Sequence, residues 1–164
     1  MTLWALDTEF DEDGKTIELI SIGLVSSEGH EYYAVSREFD PLHCNDWVKK
    51  NVLTKLPPPG DPLWKPRAQI AQELIEVTKL GTTVPKFWGY YADYDWVVLC
   101  QLYGKMIDLP PGWPMYCRDL KQRMDDFNVD RQDLPGQAPD TEHTAIEDAR
   151  WVLSGLLWMD RFCR

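Results

Sequence analysis

Four carboxylates and one histidine sit in short, chemically suggestive pieces of this chain: Asp7-Thr8-Glu9 near the start, Tyr94-Asp95 in the middle, and His143 with Asp148 near the end. Acidic side chains gathered where an unpaired charge is costly to bury are natural ligands for divalent cations. Two such cations could drive hydrolysis of a phosphodiester.

Placement decides whether the pieces can work together. Side chains alternate along a strand, so Leu3, Ala5, Asp7 and Glu9 share one face while Trp4, Leu6, Thr8 and Phe10 share the other. Both acids project from the end of an apolar strand, and two carboxylates this close repel unless a cation lies between them. In the last piece, Thr144 and Glu147 form the T-x-x-E pattern of a capping box, placing Thr144 at the N-cap and starting a helix at Ala145. Ala149, Val152 and Leu156 then form its apolar stripe, with Asp148 beside it. Were His143 also helical, five residues would set it about 140° from Asp148 around the axis. In the turn before the helix, its ring can swing back toward the same ligand. Asp93 and Asp95 both precede a helix that follows a strand, where open α/β sheets bind ligands. Asp93 is assigned the N-cap and Asp95 the site, because Tyr94-Asp95 followed by Leu99 keeps an aromatic-Asp-x-x-x-apolar arrangement. Individually these residues have plainer readings: a solvated strand end, a loop histidine, and a first-turn acid favoured by the helix dipole.

The elements that must position them follow from pattern. Residues 3–10, 17–25 and 31–36 read as three strands of an antiparallel meander, turning at residues 11–14 and 26–29. Asn45 caps a short helix over residues 46–55, ended by the loop Leu56-Pro57-Pro58-Pro59-Gly60. A second helix begins at Pro66 and runs to Leu80, closed by Gly81. A fourth strand over residues 84–88, a helix over 94–103, a short segment at 115–117 and a helix over 118–127 continue an α/β pattern. Residues 134–140 are loop and residues 145–162 a long final helix.

A length of 164 residues with 44% apolar content predicts one domain over residues 1–164, and the absence of a signal peptide or membrane-length apolar run predicts a cytoplasmic protein. Cys44, Cys100, Cys117 and Cys163 are scattered, which suggests neither a disulfide framework nor a zinc site. The net charge of -10 excludes nonspecific, charge-driven binding to long nucleic acid, yet a site that grips phosphate through metal tolerates an acidic body. Trp47, Trp64, Trp88, Trp96 and Trp113 are expected in the core or at a subunit interface.

Asp7-Thr8-Glu9-Phe10, Tyr94-Asp95 and His143-Thr144-Ala145-Ile146-Glu147-Asp148-Ala149 resemble the three motifs of the DEDDh exonuclease superfamily, in the right order. The stretches 16–23 and 31–36, with Leu56-Pro57-Pro58-Pro59 and Leu99-Cys100-Gln101-Leu102, further resemble the polyadenylate-specific exoribonucleases called RNase AS. One position departs: many DEDDh enzymes carry Asn four residues before the second-motif Asp, where this chain has Tyr91. The resemblance implies an RNase H-like α/β fold, a mixed five-stranded sheet flanked by helices, and a homodimer. It implies metal sites built from Asp7, Glu9, Asp95 and Asp148, holding two Mg²⁺ or Mn²⁺ ions, with His143 as general base. An imidazole titrating near 6.5 is suited to take a proton from water at neutral pH. The implied substrate is the 3' end of single-stranded RNA, with an adenylate preference and release of nucleoside 5'-monophosphates. Phe10 could stack on the terminal base, backbone groups at Thr8 and Glu9 could receive the terminal hydroxyl, and His143 would lie against the substrate. Glu18 could read an adenine edge only if it pointed inward, and the solvent-facing direction is preferred. The same motifs fit a DNA exonuclease of the repair or proofreading kind, and a noncatalytic interaction module is the third reading.

Overall fold

The computed structural model describes residues 2–138 and 140–163; Pro139, in the segment read as loop, lies outside them. Three long strands come first: β1 (Leu3–Glu12), β2 (Ile17–Ser26) and β3 (Glu31–Ser36). They pair antiparallel in sequence order, as the turn signals predict. Helix α1 (Asp46–Asn51) follows, with Asn45 Oδ1 accepting the Val48 N–H at 2.9 Å, and ends in a 3-10 turn over Leu53–Lys55. Next come β4 (Trp64–Lys65), α2 (Arg67–Thr78), β5 (Lys86–Gly89) and α3 (Asp93–Gln101). The chain continues through β6 (Arg118–Asp119) and α4 (Leu120–Asp126) to the long α5 (Ala145–Phe162).

The sheet is mixed and has six strands, in the order β4-β3-β2-β1-β5-β6, where five were expected. The added strand, β4, is two residues long and runs parallel to β3, too short to leave an alternating pattern in sequence. The outer strand beyond β5 is Arg118–Asp119 and not residues 115–117, and α4 starts two residues later than expected because Asp119 caps it, accepting the Gln122 N–H at 3.1 Å.

Alternation along β1 sorts the core. Trp4 and Leu6 pack with Ile22, Leu24, Phe87, Ile70, Leu74 and Leu99 beneath α2 and α3. Ala5 faces the other way, into a cluster with Leu120, Met124, Trp151, Val152, Leu156 and Met159 from α4 and α5. Asp7 and Glu9 therefore continue the α5 face. The register of β1 against β2 slips between Glu9 and Phe10, whose partners are Ser21 and Leu19. Such a bulge re-aims side chains and is common beside active sites.

Among the described residues, no helix is long and apolar enough to cross a membrane. Cys44, Cys100, Cys117 and Cys163 are all free thiols.

Candidate active site

The site forms at the carboxyl ends of β1 and β5, which run parallel, with the start of α5 laid across β1 and β2. One glycine permits that approach. Gly23 pairs with Asp7 in the register, and a Cβ placed on it would lie 2.3 Å from the Ala145 carbonyl oxygen and 2.5 Å from the Ile146 nitrogen. Backbone meets backbone there, and the first turn of α5 is brought down beside the acids of β1.

Within that turn, Thr144 is the N-cap as expected, but the capping box does not form. The Thr144 side chain makes no cap bond, and Glu147 is drawn away into a pair with Arg150. Asp148 lies in the first turn of α5, and its carboxylate accepts the Gln137 side-chain amide. His143 occupies the left-handed region at φ 60°, a conformation uncommon for a residue with a side chain. One ligand atom each from Glu9, His143 and Asp148 lies within 4.8 Å of the others. The His143 ring meets the edge or face of Trp47 in a T-shaped contact, centroids 4.9 Å apart. Of the two places expected for it, core or subunit interface, the core does not hold Trp47, which is 54% exposed and packs against the histidine.

The two middle acids separate cleanly. Asp93 is exposed at the first position of α3, and the cap position belongs to Ala92, so the capping role assigned to Asp93 is not observed. Asp95 is 6% exposed and its Oδ1 accepts both the Thr8 N–H, at 2.7 Å, and the Thr8 hydroxyl, at 2.6 Å. Thr8 is thereby committed to holding Asp95, and its N–H is not free for a terminal hydroxyl. Phe10 packs at the margin of the core and meets the exposed Tyr94 ring at 5.7 Å. Glu18 pairs with Arg67 at 3.0 Å across the sheet surface.

The electrostatics report a local excess of negative charge. Burial, with the charges of Asp95, Glu9 and Asp148 added, holds the Asp7 carboxyl well above its ordinary range. Glu9 is pushed up to about 8 by burial and by Asp148 and Asp95, against a partial offset from the Lys55 ammonium. Asp95 is raised to about 6 by burial, opposed by the two Thr8 donors, and Asp148 is raised for the same first cause. Four carboxyls that resist ionising together could hold a cation, and such oxygen donors are the kind that hard divalent cations take.

Several neighbours escaped the sequence reading. Asp7, His143 and Asp148 border a cavity of about 180 Å³ whose other walls include Tyr90, Arg131, Gln137 and Glu142. Lys55 donates to the Glu142 carbonyl, tying the end of the α1 segment to the residue before His143. Asp119 Oδ2 accepts the Ala92 N–H at 2.7 Å and so fixes the turn that leads into α3. Only Gly23 carried a readable signal, since a glycine inside an apolar strand marks close approach of another backbone.

Residues 3–156 match the family described as the 3'-5' exoribonuclease Rv2179c-like domain. The chain belongs to that family, and its fold is the RNase H-like α/β fold. It is 49% identical over 145 residues, 88% of this chain and 84% of the relative, to the 3'-5' exoribonuclease Rv2179c of Mycobacterium tuberculosis strain ATCC 25618 / H37Rv. The 3'-5' exoribonuclease MT2234.1 of strain CDC 1551 / Oshkosh matches to the same extent. Among solved structures, S. pombe Pop2p in a Mg²⁺- and Mn²⁺-bound form superposes with a TM-score of 0.57 at 15% identity, covering 98% of this chain and 83% of that one. A chain from the yeast NOT1 MIF4G domain co-crystallized with CAF1 gives a TM-score of 0.55 at 15% identity, covering 97% and 79%.

Proposed function

We propose that this chain, acting as one exonuclease domain over residues 1–164, removes nucleoside 5'-monophosphates from the 3' end of single-stranded RNA and prefers adenylate. The observation that carries the reading is the convergence of Glu9, His143 and Asp148 within 4.8 Å, beside Asp7 and the Thr8-anchored Asp95. Membership of an exoribonuclease family supports the direction and the polymer.

Asp7, Glu9, Asp95 and Asp148 would hold two divalent cations, Mg²⁺ or Mn²⁺, which when bound supply Lewis acidity to the phosphate and acidify a water. The raised carboxyls of Asp7 and Glu9 fit this, because positive charge is what would let them ionise together. His143 acts as general base: half-buried, braced by Trp47 and held at φ 60° in the turn before α5, its ring takes the proton of the attacking water. Attack on the last phosphodiester expels the 3' oxygen of the penultimate nucleotide. Thr8 orients Asp95, while Glu9 and the Phe10–Tyr94 pair offer a polar and an aromatic surface to the terminal nucleotide. Family resemblance supports a homodimer.

One gel tests the substrate: 5'-labelled oligo(A), oligo(U) and oligo(dA), each with Mg²⁺, Mn²⁺ or EDTA. A ladder shortening from the 3' end, fastest with oligo(A) and absent in EDTA, is expected. Equal degradation of oligo(dA) would show a DNA exonuclease of the same motifs and overturn the RNA reading.

A further inference from the structure

The residue that departs from the motif pattern, Tyr91, is among the most exposed aromatics of the chain, at 62%, and has φ 56°. A bulky residue in the left-handed region is held there only where its surroundings dictate it, and such strain concentrates at functional sites. The surroundings are visible. Asp119 grips the next N–H, on Ala92, at 2.7 Å, and the Tyr91 ring stands T-shaped on Tyr90 with centroids 4.6 Å apart. Tyr90 in turn lines the cavity shared by Asp7, His143 and Asp148, and packs on Trp151 at 4.9 Å. The Arg131 guanidinium covers the same two rings, 5.9 Å from Tyr90 and 4.8 Å from Trp151, while pairing with Glu142 at 2.8 Å.

Resting on the exoribonuclease reading, we propose that Tyr91, backed by Tyr90 and Arg131, is the platform for the RNA nucleotide immediately 5' of the scissile phosphate. Phe10 and Tyr94 meet on the α3 side of β1, whereas Tyr90 and Arg131 lie on the α5 side. A strand with its last base against the first pair and its last phosphate at Asp7 continues over the second. An exonuclease needs one closed and one open end to its cleft, and the exposed Tyr91 ring lies at the open one. In a body of net charge -10, Arg131 gives the arriving phosphates a cation, and its exposed pair with Glu142 can exchange partners at little cost. Stacking on an aromatic tolerates any base, so this surface sets affinity for the chain and leaves base choice to the terminal pocket.

The test compares two substrates that share the terminal nucleotide: an eight-residue oligo(A), and the p-nitrophenyl ester of adenosine 5'-monophosphate, which has no upstream nucleotide. Tyr91→Ala is expected to raise KM for the oligonucleotide about tenfold and leave kcat/KM for the ester within twofold. Tyr91→Phe restores the oligonucleotide KM. If Tyr91→Ala melts early, Tyr91→Asn, a residue type that tolerates the left-handed region, serves instead, with the same raised oligonucleotide KM. An unchanged oligonucleotide KM, or an equal loss on both substrates, overturns the platform. A wild-type enzyme that cleaves neither substrate overturns the exoribonuclease reading, and the platform with it.

Discussion

Gly23→Ala tests how the site is assembled. The added methyl carbon would stand 2.3 Å from the Ala145 carbonyl oxygen and 2.4 Å from its carbon, where ordinary contact begins at 3.4 Å. The opposed atoms are backbone on both sides, and no rotamer change relieves them. β2 is paired on both edges, so the start of α5 must withdraw, by the difference of about 1 Å. His143 and Asp148 ride on that turn and would leave Asp7 and Glu9 behind. Misplacing reacting groups by about 1 Å costs on the order of 100-fold in rate. Overpacking a tight contact costs about 1–3 kcal/mol, which for a chain of this size lowers Tm by about 2–4 °C per kcal/mol. Steady-state hydrolysis of oligo(A), with a thermal melt on the same sample, measures both. A folded Gly23→Ala enzyme with activity within twofold of wild type would refute the reasoning, because the close approach would then have no bearing on the site.

Other expectations follow from the same geometry. His143→Ala and Asp148→Ala should abolish cleavage while the melt stays cooperative; full activity in either removes the assigned mechanism. Thr8→Val removes the hydroxyl that donates to Asp95 at 2.6 Å, and should cost about 1–3 kcal/mol and raise the Asp95 carboxyl further above its value of about 6. The low-pH limb of activity then moves to higher pH, and an unmoved profile contradicts the role given to Thr8. Glu9, at about 8 when folded and near 4.5 when unfolded, binds more protons in the native state between those values. Metal-free stability therefore falls as pH rises from about 4.5 to 8, and Mg²⁺ should raise Tm more at pH 8 than at pH 5. Equal Mg²⁺ effects at both pH values would count against a cation among these acids.

The long elements were legible because their patterns are strong. Alternation placed Asp7 and Glu9 on one face of β1, and the apolar stripe of α5 put Asp148 beside the buried side. The T-x-x-E string marked the right N-cap for the wrong reason: Arg150 takes Glu147, and the Thr144 side chain makes no cap bond. Two-residue β4 is too short for any periodicity, and Trp47 lies outside the core on exposed α1 surface beside His143, a placement no pattern in the sequence marks. Gln137, Lys55 and Arg131 reach the site from loops or short turns, where side-chain direction depends on tertiary packing.

The most direct measurement is anomalous scattering from a crystal of the protein soaked with Mn²⁺ and adenosine 5'-monophosphate. Two Mn²⁺ peaks are expected, bounded by the carboxylates of Asp7, Glu9, Asp95 and Asp148, with the phosphate between them and His143 within reach of its solvent side. A single peak, none at saturating Mn²⁺, or peaks held by other acids would contradict a two-cation phosphodiesterase site.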